Sequence, residues 1–214
     1  MKTFYKIKDE LKPYNADLVI VSKNRTVEEI LPFYTDGHRM FGENRVQELN
    51  WKKEALPDDI VWHMIGHLQT NKVRQVLPLA NMIQSIDSGR LYHELVQRIQ
   101  PLEKSIDILL QVFVASDETK FGFEPQELNC WLETEFKSNN QIKIRGVMGM
   151  ATLTEDETHI SRDFTAIRQS FETLKNEYFT YPEFNICSMG MSSDYMIALE
   201  CGSTMVRIGS KLFE

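Results

Sequence analysis

The chain has 214 residues, of which 42% are hydrophobic and 26% are charged, a balance typical of a soluble globular protein. The 31 acidic residues outnumber the 24 lysines and arginines, which gives a net charge of -7. Because an acidic surface repels phosphate backbones, we expect no nucleic-acid binding, while a local pocket for one small phosphate remains compatible with this charge.

The cysteines and the apolar segments indicate the compartment. Cys130, Cys187 and Cys201 form no C-x-x-C pair, which argues against a disulfide framework and a structural zinc site. We expect each to be a small buried residue in a reducing compartment. The N-terminal residues contain no apolar core of a secretory signal, and no stretch approaches the roughly 20 apolar residues that span a bilayer. These features predict a cytoplasmic protein without a membrane partner.

Short apolar runs alternate with amphipathic stretches along the chain, and no linker-like segment marks a domain boundary. The runs predicted as strands are 18–21, 39–41, 60–65, 82–86, 106–114, 142–148, 184–187 and 205–208. The predicted helices are one that Gly37 closes, one through 54, one that Pro78 ends, one from 88 to 99, one opening at Pro125, and those at 161–176 and 193–199. Thr26 and Glu29 form a capping box at the start of the first of these helices.

Eight nearly continuous apolar strands separated by helices favour a parallel sheet covered by helices on its faces. The fold class is therefore α/β, and a single-domain (β/α)8 TIM barrel over residues 1–214 is its natural closure. A doubly wound open sheet is the alternative, which periodicity alone does not exclude.

In such barrels the active groups lie at the C-terminal ends of the strands. This rule selects, in chain order, Lys23, Asn44, His67, Asp87, 148–150, 188–192 and 207–210. Lys23 is a candidate Schiff-base nucleophile, since a partly desolvated ammonium loses its proton more readily. Taken by itself, a lysine in this position is more often a solvated residue that ends a strand.

Two loops near the C-terminus are candidates for phosphate binding. Residues 188–192 and 207–210 are rich in serine and glycine and follow the last two predicted strands, where barrels of this type most often bind phosphate. Two ordinary turns are the alternative. His63 and His67 are four residues apart, but they lie on a strand and a loop without a third ligand, so we expect no metal site.

The sequence resembles the pyridoxal phosphate homeostasis protein family, single-domain relatives of the N-terminal barrel of alanine racemase (PLP fold type III). The resemblance covers residues 17–213. Its motifs are Val21-Ser22-Lys23, FGENRVQE at 41–48, WHMIGHLQTNK at 62–72, KFGF at 120–123, GVMGM at 146–150, SMGMS at 188–192 and GSTMVRIGS at 202–210.

The resemblance implies that the cofactor is pyridoxal 5'-phosphate (PLP), held as a covalent aldimine on Lys23. It implies a role for each of the other site residues: Asn44 and His67 line the ring pocket, Met148 and Met150 lie against the side of the ring, Ser188, Ser192, Gly209 and Ser210 hold the phosphate, and Arg207 faces the pyridine nitrogen. A guanidinium there leaves the nitrogen unprotonated and makes the cofactor a weaker electron sink.

The chain departs from the family pattern at the rim of the expected pocket. Residues 24–27 read Asn-Arg-Thr-Val where the family commonly has a proline, and residues 119–123 read Thr-Lys-Phe-Gly-Phe where many relatives have Ser-Lys-Ser-Gly-Phe. The stretch before the first strand is short, which predicts an abbreviated N-terminal helix. None of these changes touches Lys23.

Three functions follow from these residues, and the first is favoured. A cofactor carrier binds PLP reversibly and hands it to PLP-dependent apoenzymes. A PLP-dependent, racemase-like enzyme needs an opposing base, which a second domain supplies in racemases, whereas this chain ends at Glu214 just after the eighth strand. An aldolase-type barrel would form a Schiff base with a sugar phosphate. We therefore expect no catalytic residues, and an uncovered barrel mouth fits a monomer.

Overall fold

Eight parallel strands close into a barrel in chain order, with the last strand paired to the first. The computed structural model describes residues 1–114 and 121–213. The strands are β1 (Asp17–Val21), β2 (Met40–Glu43), β3 (Val61–Met64), β4 (Met82–Ile86), β5 (Ile106–Gln111), β6 (Ile142–Met148), β7 (Ile186–Ser188) and β8 (Met205–Ile208). This closure confirms the predicted (β/α)8 barrel and excludes the doubly wound alternative.

Helices surround the barrel and bury one face each against the strands. In the described ranges they are α1 (Lys2–Leu11), α2 (Val27–Thr35), α3 (Val46–Ala55), α4 (Val73–Val76), α5 (Gly89–Ile99), α6 (Pro125–Thr134), α7 (Glu157–Glu177), α8 (Tyr195–Glu200) and α9 (Ser210–Phe213). None of these helices is both long and apolar enough to cross a membrane. The N-terminal α1 has ten residues and buries Phe4, Ile7 and Leu11.

Five strands (β1, β2, β3, β5 and β7) differ from their predicted bounds by one to three residues, and the differences at β5 and β7 have a structural reason. β5 stops at Gln111 rather than at 114, because the chain after it turns to hydrogen-bond with Phe123, whose backbone N–H donates to the Gln111 carbonyl at 2.8 Å. β7 is Ile186–Ser188 rather than 184–187. Phe184 lies in a turn instead, and its ring stacks on Phe171 in the outer core.

The helix predictions were correct in position and less accurate in length. The capping box of Thr26 and Glu29 is present at the start of α2. The helix expected to run to Pro78 is only a 3-10 turn at Thr70–Lys72 followed by α4. Helix α7 begins at Glu157, four residues before the expected start, because the Asp156 carboxylate accepts hydrogen bonds from the first backbone N–H groups.

Two hydrophobic clusters fill the molecule. The larger one lies between the outer faces of the strands and the helices, and the smaller one, Met82, Leu109 and Met148, lies inside the barrel. Alternate residues of a strand point to opposite faces, so β4, β5 and β6 each contribute to both clusters. The three cysteines are free thiols; Cys187 is buried and Cys201 half-buried, but Cys130 is exposed on α6, so the expectation of three buried cysteines was wrong for Cys130.

Gly146 in β6 is the glycine with the least space for a side chain. Its φ is +153°, and a Cβ there would lie 1.7 Å from the Ile186 carbonyl oxygen. We expect Gly146→Ala to lower the free energy of unfolding by about 3 kcal/mol, because β6 and β7 must separate to admit the methyl group. Urea unfolding followed by circular dichroism measures this loss.

Gly37→Ala is the matched control. Gly37 also has a positive φ, +88°, but a Cβ there meets no atom within 4 Å. We therefore expect Gly37→Ala to lower the free energy of unfolding only through backbone strain, by roughly 1–2 kcal/mol. Equal losses for the two variants would contradict the steric account of Gly146.

Candidate cofactor site

Lys23 lies in the turn that follows β1, and its side chain is exposed. Within the described part of the chain, its Nζ has no hydrogen-bond or ion-pair partner, which leaves the amine free to react. The expectation of a partly desolvated lysine is not met here, because the turn carries Lys23 out of the packed end of the strand. The next residue, Asn24, has a left-handed backbone with φ 58°, a conformation that asparagine tolerates better than most residues.

The loops after β7 and β8 meet beside the first strand. The Ser192 Oγ accepts a hydrogen bond from the Gly209 N–H at 3.3 Å, and the Lys211 ammonium donates to the Ser192 carbonyl at 3.4 Å. Ser210 follows directly and is exposed. A Cβ on Gly209 would lie 3.0 Å from the Val21 carbonyl oxygen, so this loop packs closely on the end of β1. The structure therefore brings together three of the predicted phosphate residues, Ser192, Gly209 and Ser210.

Arg207 is a buried cation inside the barrel, 4% exposed. Its guanidinium donates to the Ser188 carbonyl at 2.8 Å, the Ser188 Oγ at 2.7 Å and the Gly149 carbonyl at 3.0 Å. Burial lowers the pKa of Arg207 to about 10, which still leaves it charged at neutral pH. These contacts fix the planar guanidinium inside the barrel, near the C-terminal ends of β6, β7 and β8.

Ser188 is the last residue of β7 and is fully buried. Its hydroxyl donates to the Gln84 side chain at 2.8 Å and accepts from Arg207. The hydroxyl therefore orients Arg207 from within the barrel, while the contact of Ser188 with the phosphate remains a prediction.

Gln84 extends this network to His63 and was missed by sequence reasoning. Its side-chain N–H donates to the His63 Nδ1 at 2.8 Å, so a chain of hydrogen bonds runs from Arg207 through Ser188 and Gln84 to His63. The signal was available, because Gln84 is a polar residue in the middle of the apolar run of β4. A buried amide in such a strand needs partners inside the barrel.

Asn44 and His67 lie where β2 and β3 end, as predicted. The Asn44 Oδ1 is buried and has no hydrogen-bond partner among the described residues. The His67 Nδ1 lies 2.8 Å from an Asp87 carboxylate oxygen, and its ring stacks on Phe121 with 3.6 Å between centroids. Residues 119 and 120 of the divergent rim segment lie outside the described residues, whereas Phe121 forms part of the rim beside His67.

The two methionines of the GVMGM motif lie at different depths. Met148 is 1% exposed and packs against Met82 and Leu109 inside the barrel, and Met150 packs on this cluster while partly exposed. Their contact with the cofactor ring remains a prediction. Among the described residues, no three His, Cys, Asp or Glu side chains are arranged to hold a metal ion.

The groups at this end of the barrel fit PLP by their chemistry. An unpaired amine suits its aldehyde, a hydroxyl with adjacent main-chain N–H groups suits its phosphate, and a buried guanidinium faces the same interior. The unsatisfied Asn44 Oδ1 adds a buried acceptor that a polar ring substituent can satisfy.

The buried His63 makes stability depend on pH. Burial lowers the pKa of His63 to about 4, whereas an unfolded histidine has a pKa near 6.5. The unfolded chain therefore binds a proton that the folded chain excludes, and stability falls as pH decreases through this window. We expect a loss of about 2 kcal/mol from this residue between pH ~7.5 and pH ~5.

Urea unfolding of the variant His63→Gln at both pH values tests how much of the pH dependence of stability comes from His63. Glutamine keeps a neutral acceptor for Gln84 without a titrating ring. We expect the variant to lose less stability on acidification than the wild type. His38, whose pKa burial also lowers to about 4, retains its own contribution in both proteins. An unchanged difference between the two pH values would contradict this assignment.

Comparison with known proteins places the chain in a family. The model of the alanine racemase N-terminal domain matches residues 3–214. The pyridoxal phosphate homeostasis protein of Helicobacter pylori strain J99 is 37% identical over 199 residues, which cover 92% of this chain and 86% of that protein. The protein of the same name from Aquifex aeolicus is 38% identical over 200 residues, with the same coverage.

Solved structures agree with the fold. PipY of Synechococcus elongatus PCC7942, solved with PLP bound, has a TM-score of 0.89 and 33% identity and covers 100% of this chain and 99% of its own. Alanine racemase of Clostridium difficile 630 has a TM-score of 0.73 and 13% identity and matches over 55% of its own chain, which supports the shared barrel alone. The chain belongs to the pyridoxal phosphate homeostasis protein family, within the wider alanine racemase N-terminal domain family.

Proposed function

We propose that this protein binds PLP on Lys23 and acts in vitamin B6 homeostasis as a carrier or buffer of the cofactor, without turning over a substrate. The observation that carries the proposal is the free amine of Lys23 at the barrel end where the loops of Ser192 and Gly209 meet. Support comes from PipY, which is 33% identical over the whole chain and was solved with PLP bound.

Each residue of the site has a proposed part. When bound, PLP supplies an aldehyde that reacts with a lysine amine and a ring that withdraws electrons. Lys23 presents the amine, while Ser192, Gly209 and Ser210 hold the phosphate through hydroxyl and main-chain N–H groups. Arg207, which Ser188 and Gly149 hold in place, would donate an N–H group toward the pyridine nitrogen, and because a guanidinium accepts no proton, that nitrogen would stay unprotonated.

The sides of the ring pocket are the remaining proposed contacts. Asn44 and His67 would contact the ring from the ends of β2 and β3, and Met148 and Met150 would lie against its side. The stack of His67 on Phe121 fixes the orientation of the imidazole from the rim. In this arrangement Ser188 acts on the cofactor through Arg207 as well as through its predicted phosphate contact.

One observation favours a carrier over an enzyme. The exposed side chain of Lys23 leaves the reacting atoms open to water, which the intermediates of substrate chemistry do not tolerate well. One observation favours the racemase-like alternative: His67 is paired with Asp87 at 2.8 Å, as a general base is commonly oriented.

The visible absorption spectrum of the purified protein incubated with PLP tests the proposal. We expect an absorption band of lysine-bound PLP in the wild type, which borohydride converts into a stable adduct of the Lys23 peptide. Lys23→Arg keeps the charge but has no amine that condenses with the aldehyde, so the band is expected to disappear. Lys211→Arg, an exposed lysine on α9, is the matched control and keeps the band.

Exchange of the α-proton of alanine in D2O, followed by NMR, separates carrier from enzyme. A carrier shows no exchange above free PLP. Exchange that depends on Lys23 and is lost in His67→Gln would replace the carrier with the racemase-like alternative.

Ser192→Ala tests the phosphate loops. We expect the variant to bind PLP about tenfold more weakly while its affinity for pyridoxal, which has no phosphate, is unchanged. Ser193→Ala, an exposed neighbour, is expected to bind both as the wild type does. Fluorescence titration measures the affinities of the wild type and of each variant for PLP and for pyridoxal. Equal weakening for both ligands in Ser192→Ala would exclude a phosphate role for Ser192.

The organisation of the protein belongs to the same proposal. We infer that residues 1–214 act as one PLP-binding domain, as a monomer in the cytoplasm, with PLP-dependent apoenzymes as recipients. The acidic charge and the free cysteines support this location and the absence of nucleic-acid partners. Light scattering coupled to size-exclusion chromatography determines the oligomeric state.

A further inference from the structure

A fully buried lysine lies behind the turn that carries Lys23, on the outer side of the barrel wall. Lys52, on α3, is 0% exposed, and its Nζ donates to the Ser22 carbonyl at 2.6 Å, a Glu43 carboxylate oxygen at 2.6 Å and a Glu48 carboxylate oxygen at 3.1 Å. These contacts use the three donors of the ammonium group. The four side chains of Ser22, Glu43, Glu48 and Lys52 are called the Lys52 cluster below.

The Lys52 cluster holds the backbone on both sides of Lys23. Before it, the Ser22 carbonyl accepts from Lys52 and the Ser22 hydroxyl donates to Glu43 at 2.6 Å. After it, the Asn24 N–H donates to Glu48 at 2.7 Å. Among residues 1–114 and 121–213, no side chain pairs with the Lys23 amine, so the two neighbours of Lys23 are fixed while its side chain is free.

Buried charges are not the composition expected of a cluster whose only role is to stabilise the fold. Glu43 is also 0% exposed, and its second carboxylate oxygen is buried without a partner among the described residues. Well-packed apolar side chains are often at least as stabilising as a buried ion pair, whereas ion pairs with hydrogen bonds fix one arrangement of the chain. A pair that contacts the two neighbours of one reactive lysine therefore suggests a role in placing that lysine.

We propose that Lys52 is a positioning residue: with Glu43 and Glu48 it fixes the backbone from Ser22 to Asn24 and thereby presents the Lys23 amine to the cofactor aldehyde in one orientation. This inference rests on the proposed function of Lys23. In this proposal a residue on the outer side of the barrel wall contributes to cofactor binding although it does not line the pocket.

The test compares Lys52→Met with the double variant Glu43→Gln with Lys52→Met. Lys52→Met leaves a buried carboxylate without its cation and is expected to be unstable, whereas the double variant removes both charges and recovers folding. The matched control is Lys104→Met. Lys104 is half-buried before β5 and donates to the carbonyls of Leu77 and Ala80 at 2.8 and 2.7 Å, at the opposite end of the barrel.

The first readout is amide hydrogen exchange by NMR without added PLP. We expect the amides of Asn24 and Arg25 to exchange at least about tenfold faster in the double variant than in the wild type, relative to the amides of β5. In Lys104→Met, this ratio is expected to be unchanged. The second readout is the rate of PLP attachment to Lys23 by absorbance, expected to fall about tenfold in the double variant and to remain unchanged in the control.

The two readouts separate the failure of this inference from the failure of the proposed function. A wild-type protein that takes up no PLP would refute the proposed function, while the exchange rates would still decide whether the Lys52 cluster orders the turn. If the double variant matches the wild type in both exchange and PLP attachment, the positioning role is overturned and the PLP site stands.

Discussion

Pairing of β1 with β8 is the constraint on which the candidate site depends. Lys23 follows the first strand and Gly209 follows the last, so they become neighbouring loops only because the barrel closes with Val19 opposite Arg207. The close approach of Gly209 to the Val21 carbonyl is a direct result of this register. In an open sheet, the amine and the phosphate loops would lie at opposite edges.

A network of polar side chains crosses the interior of the barrel, from β7 and β8 to β3 and β4, and this affects both stability and chemistry. One connected chain of hydrogen bonds runs from Arg207 through Ser188 and Gln84 to His63, and each side chain bonds to the next. In the low-polarity interior, a missing hydrogen bond in this chain would lower the stability of the fold. Each side chain therefore fixes the orientation of its neighbour. The orientation of the Arg207 guanidinium is thereby set by residues on three other strands.

Much of the fold and part of the site follow from the sequence alone. Continuous apolar runs identified all eight strands, and the rule that strands present active groups at their C-terminal ends selected Lys23, Asn44 and His67. The sequence predicted that β7 ends at residue 187, but the strand includes Ser188, and this one further residue turns the Ser188 side chain from the loop into the interior. Lys52 was missed for another reason: a lysine in a helix is expected to be solvated, and only the fold shows that Glu43 packs against it.

A crystal structure of the protein grown with PLP would show whether this barrel carries the cofactor on Lys23, with the phosphate between the loops after β7 and β8. We expect electron density continuous from the Lys23 Nζ to the cofactor, with the phosphate at Ser192, Gly209 and Ser210 and the ring nitrogen facing Arg207. Cofactor density on another lysine, or a free phosphate group away from these loops, would contradict this expectation.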